Sequence, residues 1–355
     1  LTIWRNGVPS TAREAPLPTV FLHSSFRTSS TWLWSKFRDD PRRLCLYEVF
    51  QERLSDCTLE GCFLVSSDSW PSGHPAGLLP YLLEFIPLLR PSGGVEGYHE
   101  DMAYQLLIPE GGLNGELSEA ERLYLMRLDI LARTAGRQPI MSCTRSLGRA
   151  AAIKKVLGGV HVVMWRNLHH QWLSYVHQQE LGNEYFLKSV GWTLTSRVLL
   201  ENHGCDPILR LLFLYLVSHC GTRTADWIKP EHHDSLYIAF VALHVYLTMH
   251  AQKSADILVD VNRLTAGDPA YRRSLEGRLS ELSRLPVQLD DPEMRVQRPR
   301  RGLRDQDHAW QQIDLIFGAI KAAMAPDDGT LAFGQEMLDQ ARSASIAERL
   351  LPAAQ

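Results

Sequence analysis

The sequence contains no apolar run of the ~18 residues needed to cross a bilayer. The nearest approaches are Leu211–Val217 and Ile238–Met249, the second interrupted by His244, and both read as buried helices. None of the six cysteines, Cys45, Cys57, Cys62, Cys143, Cys205 and Cys220, stands in C-x-x-C spacing. Neither a zinc site nor a thiol redox centre is therefore expected; the thiols read as buried, with Cys57–Cys62 able to pair only in an oxidising compartment. The histidine pairs His169-His170 and His232-His233 lack a partner at the spacing of a metal-binding helix, so no metal is expected. The chain also lacks a G-x-x-x-x-G-K-[ST] stretch, an internal repeat and a low-complexity tract. It has no large excess of one charge: 37 Lys and Arg against 40 Asp and Glu leave −3. That balance gives no reason to expect nucleic acid or an anionic membrane as the main partner, so an anionic ligand must be drawn by local cations.

What is present suits one large α/β domain or two smaller ones: 355 residues, 45% hydrophobic and 22% charged. A polar lead-in, Leu1 to Pro18, gives way to Thr19–His23, a short apolar run of the kind buried on both faces of a parallel sheet. Further strand candidates are Leu44–Tyr47, Pro139–Cys143 and Val160–Trp165. Ser118-Glu119-Ala120-Glu121 is a capping-box pattern opening an amphipathic helix, Arg122 to Thr134, that Gly136 stops. Helix–strand–helix–strand from Ser118 to Arg166 argues for parallel strands with right-handed crossovers. Ligands of such sheets gather at the carboxyl ends of strands. The tips after Phe21-Leu22, Ser142-Cys143 and Met164-Trp165 are thus expected to share one crevice. Glu184 to Ala255 reads as mostly helical, and two helices, about 308–324 and 334–350, close the chain.

Between the first strand and the helical pattern begun by Trp32, Leu33, Trp34 and Phe37 lie Ser24 to Thr31, small or hydroxyl residues around one cation, Arg27. A strand, a polar loop and a helix N-terminus make an anion site, because free N–H groups and the helix dipole converge there. Hydroxyls add donors, and Arg27 adds charge and a planar fork. A second element, His161 to Tyr175, is a strand ended by Arg166-Asn167, with Ser174 eight residues after Arg166 on the helix that follows.

Arg27-Thr28-Ser29-Ser30-Thr31-Trp32 resembles the 5′-phosphosulfate loop of sulfotransferases, written R/K-S-G-T-T. Arg166-Asn167 with Ser174 resembles their second motif, R-[DN]-P with a Ser eight residues on. The resemblance covers roughly 18–52 and 137–176, and Asp256–Asn262 resembles the late sheet strand of the family. It implies a three-layer, P-loop-like α/β fold, a central parallel sheet with helices on both faces, in a single domain from 1 to 355. Within that domain 18–52 holds the phosphosulfate loop and base, 55–115 an acceptor-side insertion, 137–176 the 3′-phosphate motif and 184–355 a mainly helical part. The donor implied is 3′-phosphoadenosine 5′-phosphosulfate, without a metal.

The same resemblance distributes roles. Arg27 offsets charge on the leaving 5′-phosphate oxygen; Ser30 and Thr31 donate to the 5′-phosphate and sulfonate. Thr28 and Ser29 supply backbone N–H groups, and Trp32 completes the stretch. Arg166 and Ser174 grip the 3′-phosphate by charge-assisted and neutral bonds. Arg300-Arg301-Gly302 echoes an R-K-G element that adds Arg301 to that phosphate. Tyr47-Glu48-Val49-Phe50 resembles a Y-E-P-F stretch of carbohydrate and bacterial members and makes Glu48 the candidate base, with Glu52 in reserve. A carboxylate in a partly closed cleft has its pKa raised by desolvation. Arg145 sits at a strand tip, within reach of nucleotide or acceptor or in a structural role. The sequence departs from the pattern at Ser29 (Gly in the family), Val49 and Leu168 (both Pro), and the K-x-H-L-P histidine of the cytosolic small-molecule branch is absent from Thr144 to Gly148. The expected acceptor is a hydroxyl on a glycan or glycolipid; a tyrosyl or phenol acceptor, a degenerate nucleotide-binding module and a P-loop kinase are the alternatives. A bacterial cytoplasmic setting is expected; because the chain opens on Leu1, a lumenal domain with its anchor removed is the other reading.

Overall fold

The computed structural model describes residues 15–66, 78–196, 206–290, 296–297, 299–324 and 328–349. Most of the lead-in (1–14), residues 67–77 of the insertion, Cys205, Arg295, Arg298 and residue 350 of the last expected helix lie outside the described residues. Five strands form one sheet: β1 (Val20–His23), β2 (Arg43–Leu46), β3 (Gln138–Cys143), β4 (Val160–Trp165) and β5 (Ile257–Asp260). All neighbours are parallel, in the order β2-β3-β1-β4-β5. Each strand lies within a residue or two of its expected place.

The apolar runs are continuous because the sheet is covered twice. Successive side chains of a strand point to opposite faces. On β4, Val163 and Trp165 enter one core with the helices after it, while Val160, Val162 and Met164 enter the other. The second core is closed by α1 (Ser30–Arg38), through Leu33, Trp34 and Phe37, and by residues 269–283. The short helix α2 (Leu59–Leu64) belongs to the insertion, whose buried Tyr81, Phe85, Tyr98 and Met102 extend this core. The thiols of Cys57 and Cys62 face each other there at 3.4 Å, unbridged.

Helix α3 (Glu119–Thr134) starts where the capping box places it: Ser118 Oγ accepts from Glu121 N, and Glu121 Oε2 accepts from Ser118 N. It ends before Gly136, which takes φ 68°, the left-handed region glycine enters without strain. Beyond β3, α4 (Ala150–Leu157) leads to β4, α5 (Leu168–Glu180) follows it, and α6 (Tyr185–Leu194) follows α5. The helix His233–Gln252 is buried on every side from Leu236 to Met249, which accounts for a pattern apolar almost all round, with His244 buried among the apolar residues. In the helix Pro207–Cys220 only part of the apolar stretch is covered, and Leu211 and Leu214 are exposed. Among the described residues no helix is long and apolar enough to cross a membrane.

Two polar groups are built into the layers. Glu121 also accepts from Arg149 Nη1 at 2.5 Å, in a pair with almost no solvent contact, and Arg149 lies 4.0 Å over the Phe50 ring. Inside the sheet, His23 Nε2 lies 2.9 Å from His161 Nδ1. His161 Nε2 must donate to the carbonyl of Gly158 at 2.9 Å, so its Nδ1 accepts and His23 Nε2 carries a proton. Burial lowers the pKa of His23 well below the usual range and, with Lys154 adding to it, brings His161 down to about 4.

Removing one partner of the buried pair strands the other charge, so Glu121→Ala should lower the unfolding free energy in urea by about 3–5 kcal/mol; a loss within the range of surface substitutions would show the pair to be solvated. The histidines give a pH dependence of defined sign. The unfolded chain takes up protons near pH 6.5 and the folded His161 only near 4. Their stabilisation is therefore present above pH 6.5 and lost as pH falls, by about 2 kcal/mol between 6.5 and 5 for His161. The difference in urea midpoint between pH 7 and pH 5 should shrink in His161→Phe, and an unchanged difference would place the titration elsewhere.

Candidate anion-binding site

In the strand order, the connections from β1 and β4 depart to opposite sides, and the crevice outside their carboxyl ends is where sheets of this kind bind ligands. The loop 24–29 leaves β1 there and enters α1 at Ser30. Arg27 and Ser29 hold φ 63° and 61°, both left-handed, a conformation found in the turns whose successive backbone N–H groups bind anions. Ser29 stands where a glycine would carry no strain. The N–H groups of the first turn of α1 have no partner within the helix. Thr28 Oγ1 donates to Ser25 O at 2.7 Å, closing the loop on itself, and Thr31 Oγ1 lies 2.8 Å from Tyr47 OH.

Asn167 caps α5 by accepting from His170 N, which turns the chain from strand to helix and leaves Arg166 at the tip of β4. From there the tip of β4 and α5 hold the loop by four hydrogen bonds. Gln171 Nε2 donates to Ser25 Oγ at 2.7 Å and Phe26 O at 2.6 Å; Arg166 Nη1 donates to Arg27 O at 2.9 Å; Arg27 Nε donates to Ser174 Oγ at 2.8 Å. The two stretches joined here, separated by more than a hundred residues, are the two that sequence reasoning singled out. Gln171, which it missed, carried a usable signal: it lies three residues before Ser174, on the same helix face.

The electrostatics of this junction are one-sided. Arg166 is buried and Arg27 half-buried, and among the described residues neither pairs with a carboxylate. Arg166 Nε is buried with no hydrogen-bond partner. Desolvation, with the charge of Arg27 adding to it, brings Arg166 down to about 10, and desolvation also lowers Arg27. A buried guanidinium that feels the charge of a half-buried one, with no counter-ion among the described residues, is costly. A bound anion is the arrangement that offsets it.

A second cluster lies beside the loop. Glu48, just past β2 and at φ 48°, is buried; its Oε2 accepts from Thr144 Oγ1 at 2.7 Å and Arg145 Nη1 at 2.8 Å, and Oε1 accepts from Thr144 N at 3.1 Å. Burial raises the Glu48 pKa, opposed by Arg145 and Thr144. Arg145 Nη2 also holds Glu52 Oε2 at 2.8 Å and donates to Tyr185 OH. The Arg145 guanidinium stacks 4.9 Å from the Phe26 ring, one residue before Arg27.

The remaining sequence candidates fall elsewhere. Trp32 points away from the loop, its indole N–H donating to Asp290 at 2.8 Å. Arg301 is exposed, and its backbone N–H is held by Glu180 at the far end of α5, six residues beyond Ser174, or ~9 Å along the helix. A cavity of about 30 Å³ bordered by Ser25, Thr144 and Arg145 has room only for a water-sized molecule. Among the described residues no group of three His, Cys, Asp or Glu is placed to hold a metal ion.

If the two cations await an anion, Arg166→Met should raise the unfolding free energy by about 1–2 kcal/mol in phosphate- and sulfate-free buffer, because an uncompensated buried charge is replaced by an apolar chain. The same substitution should remove any stabilisation by added sulfate. A destabilised variant that still responds to sulfate would contradict this. Comparison with known proteins gives no relative to set beside this geometry: no family model, no curated protein and no solved structure matches the chain.

Proposed function

We propose that the chain is a sulfotransferase that moves a sulfonate group from 3′-phosphoadenosine 5′-phosphosulfate to a hydroxyl acceptor. The observation that carries this reading is the pair Arg27 and Arg166, which meet outside the ends of β1 and β4 without a carboxylate partner among the described residues. Those are the two positions at which the sequence resembles the motifs for the two phosphate ends of that donor. The loop offers backbone N–H groups, the hydroxyls of Ser30 and Thr31, and the guanidinium of Arg27; Arg166 at the tip of β4 and Ser174 on α5 stand across from it.

Sulfonyl transfer is an in-line displacement in which the protein contributes positioning and charge stabilisation. Arg27 offsets the charge that grows on the leaving 5′-phosphate oxygen. Arg166 and Ser174 hold the 3′-phosphate and fix the nucleotide's direction. The acceptor proton goes to a carboxylate of the Glu48–Arg145–Glu52 cluster, which is linked to the loop through Phe26. A second reading, a nucleotide-binding protein without turnover, draws support from the enclosure of Glu48, whose oxygens are both already engaged.

Adenosine 3′,5′-bisphosphate at about a hundred times its Kd should stabilise the protein by about 2.7 kcal/mol, visible as a rise of several degrees in Tm. Arg166→Ala and Ser174→Ala should each lose most of that rise. No shift at millimolar nucleotide would refute the donor assignment. A shift without transfer of labelled sulfonate to any of a panel of glycans, tyrosyl peptides and phenols would favour the second reading.

A further inference from the structure

Donor binding leaves a third cluster beside the loop without a role. Tyr185 and Trp192 are seven residues apart on α6, hence on one face, and Tyr104 reaches them from the insertion. The three half-buried rings form a triad, with centroids 4.9 Å apart for Tyr104–Trp192 and 5.3 Å for Tyr185–Trp192. Tyr185 also meets Phe26 edge-on at 5.7 Å, so the triad borders the anion-binding loop.

The polar edge of this triad is incompletely satisfied. Tyr104 OH and Tyr185 OH share one hydrogen bond of 2.6 Å, and Arg145 Nη2 donates to Tyr185. Whichever phenol donates in the shared bond, one phenolic proton is left without an acceptor among the described residues. Arg145 Nη2 also holds Glu52 Oε2, while Oε1 of that carboxylate, on a side chain 34% exposed, has no partner among the described residues. One guanidinium nitrogen thus fixes a spare donor and a spare acceptor next to each other. The Trp192 indole N–H likewise has no partner among the described residues.

An aliphatic hydroxyl needs a donor and an acceptor at once. A ring that lies on aromatic faces and carries several hydroxyls at its edge meets all three spare groups, whereas a phenol has a single hydroxyl to offer. We infer that Tyr104, Tyr185, Trp192 and Glu52 form the acceptor subsite, that it takes a pyranose carbohydrate, and that Glu52 Oε1 receives the proton of the attacking hydroxyl. The inference rests on the sulfotransferase reading. As the sugar oxygen bonds to sulfur, the bond from sulfur to the nucleotide's phosphate oxygen breaks and its electron pair leaves with the phosphate. The hydroxyl proton passes to Glu52. Glu48, enclosed by Thr144 and Arg145, is then a positioning residue that holds Arg145 in place.

The test is saturation-transfer NMR on the full chain with adenosine 3′,5′-bisphosphate bound, using a panel of methyl pyranosides and p-cresol as probes. At least one pyranoside should bind the wild-type protein, and its signal should fall at least fivefold in Trp192→Ala or, if that variant folds poorly, in Trp192→Leu. Glu52→Gln should bind the same sugar within threefold but lose sulfonate transfer to it by at least a hundredfold. Nucleotide-induced thermal shifts should be unchanged in all three variants. Binding of p-cresol but no pyranoside, sugar binding indifferent to Trp192, or transfer surviving in Glu52→Gln would each overturn the assignment. An absent nucleotide shift in the wild-type protein would instead fault the donor reading on which it rests.

Discussion

The grip of the β4 tip and α5 on the loop between β1 and α1 is the constraint on which the site depends. A loop with two left-handed non-glycine residues has a strained backbone, and such conformations persist only where the surroundings over-determine them. Here the surroundings are Gln171, Arg166 and Ser174, which bond to Ser25, Phe26 and Arg27. The bonds are short-range, but they join segments that meet only because β1 and β4 are neighbours in the sheet. The loop's shape is therefore a property of the sheet order as much as of its own residues.

That grip brings two like charges together out of water. A site optimised for stability would not do so, since the same volume could hold apolar side chains. Native proteins carry such local violations at functional positions, where the missing counter-charge is supplied by a ligand. Arg145 shows the contrasting solution a few ångströms of packing away: as deeply buried, but held between Glu48 and Glu52 and stacked on aromatic rings. The two environments divide the crevice into a side that lacks negative charge and a side that has it. In the proposed reaction the first suits a doubly anionic donor and the second a neutral acceptor that must give up a proton.

Most of the sheet was legible from the sequence because strands covered on both faces leave short, largely apolar runs bounded by polar loops, as in Val160–Trp165. The capping box at Ser118 was legible because it is a local hydrogen-bonding pattern, complete within four residues. The triad of Tyr104, Tyr185 and Trp192 was not, since one member comes from an irregular stretch whose packing has no period. Arg301 illustrates the opposite failure. A short basic pattern near the right place in the chain sits, in the fold, at the wrong end of α5, and local sequence carries no information about which turn of a helix a distant loop will meet.

By itself the sequence determined the α/β class, the strand positions, and the two cation-bearing stretches at strand ends, all of which depend on hydrophobic periodicity and on polar residues that interrupt it. Only the tertiary structure decided that, among the described residues, Arg27 and Arg166 touch without a counter-charge and Glu52 keeps one oxygen free while Glu48 is enclosed, and that Trp32 faces away. Each of these is a relation between residues far apart in the chain, fixed by strand order and by which side chain reaches a shared partner first. Local spacing places a group at a strand tip; competition for partners in three dimensions settles whether it is spent or available.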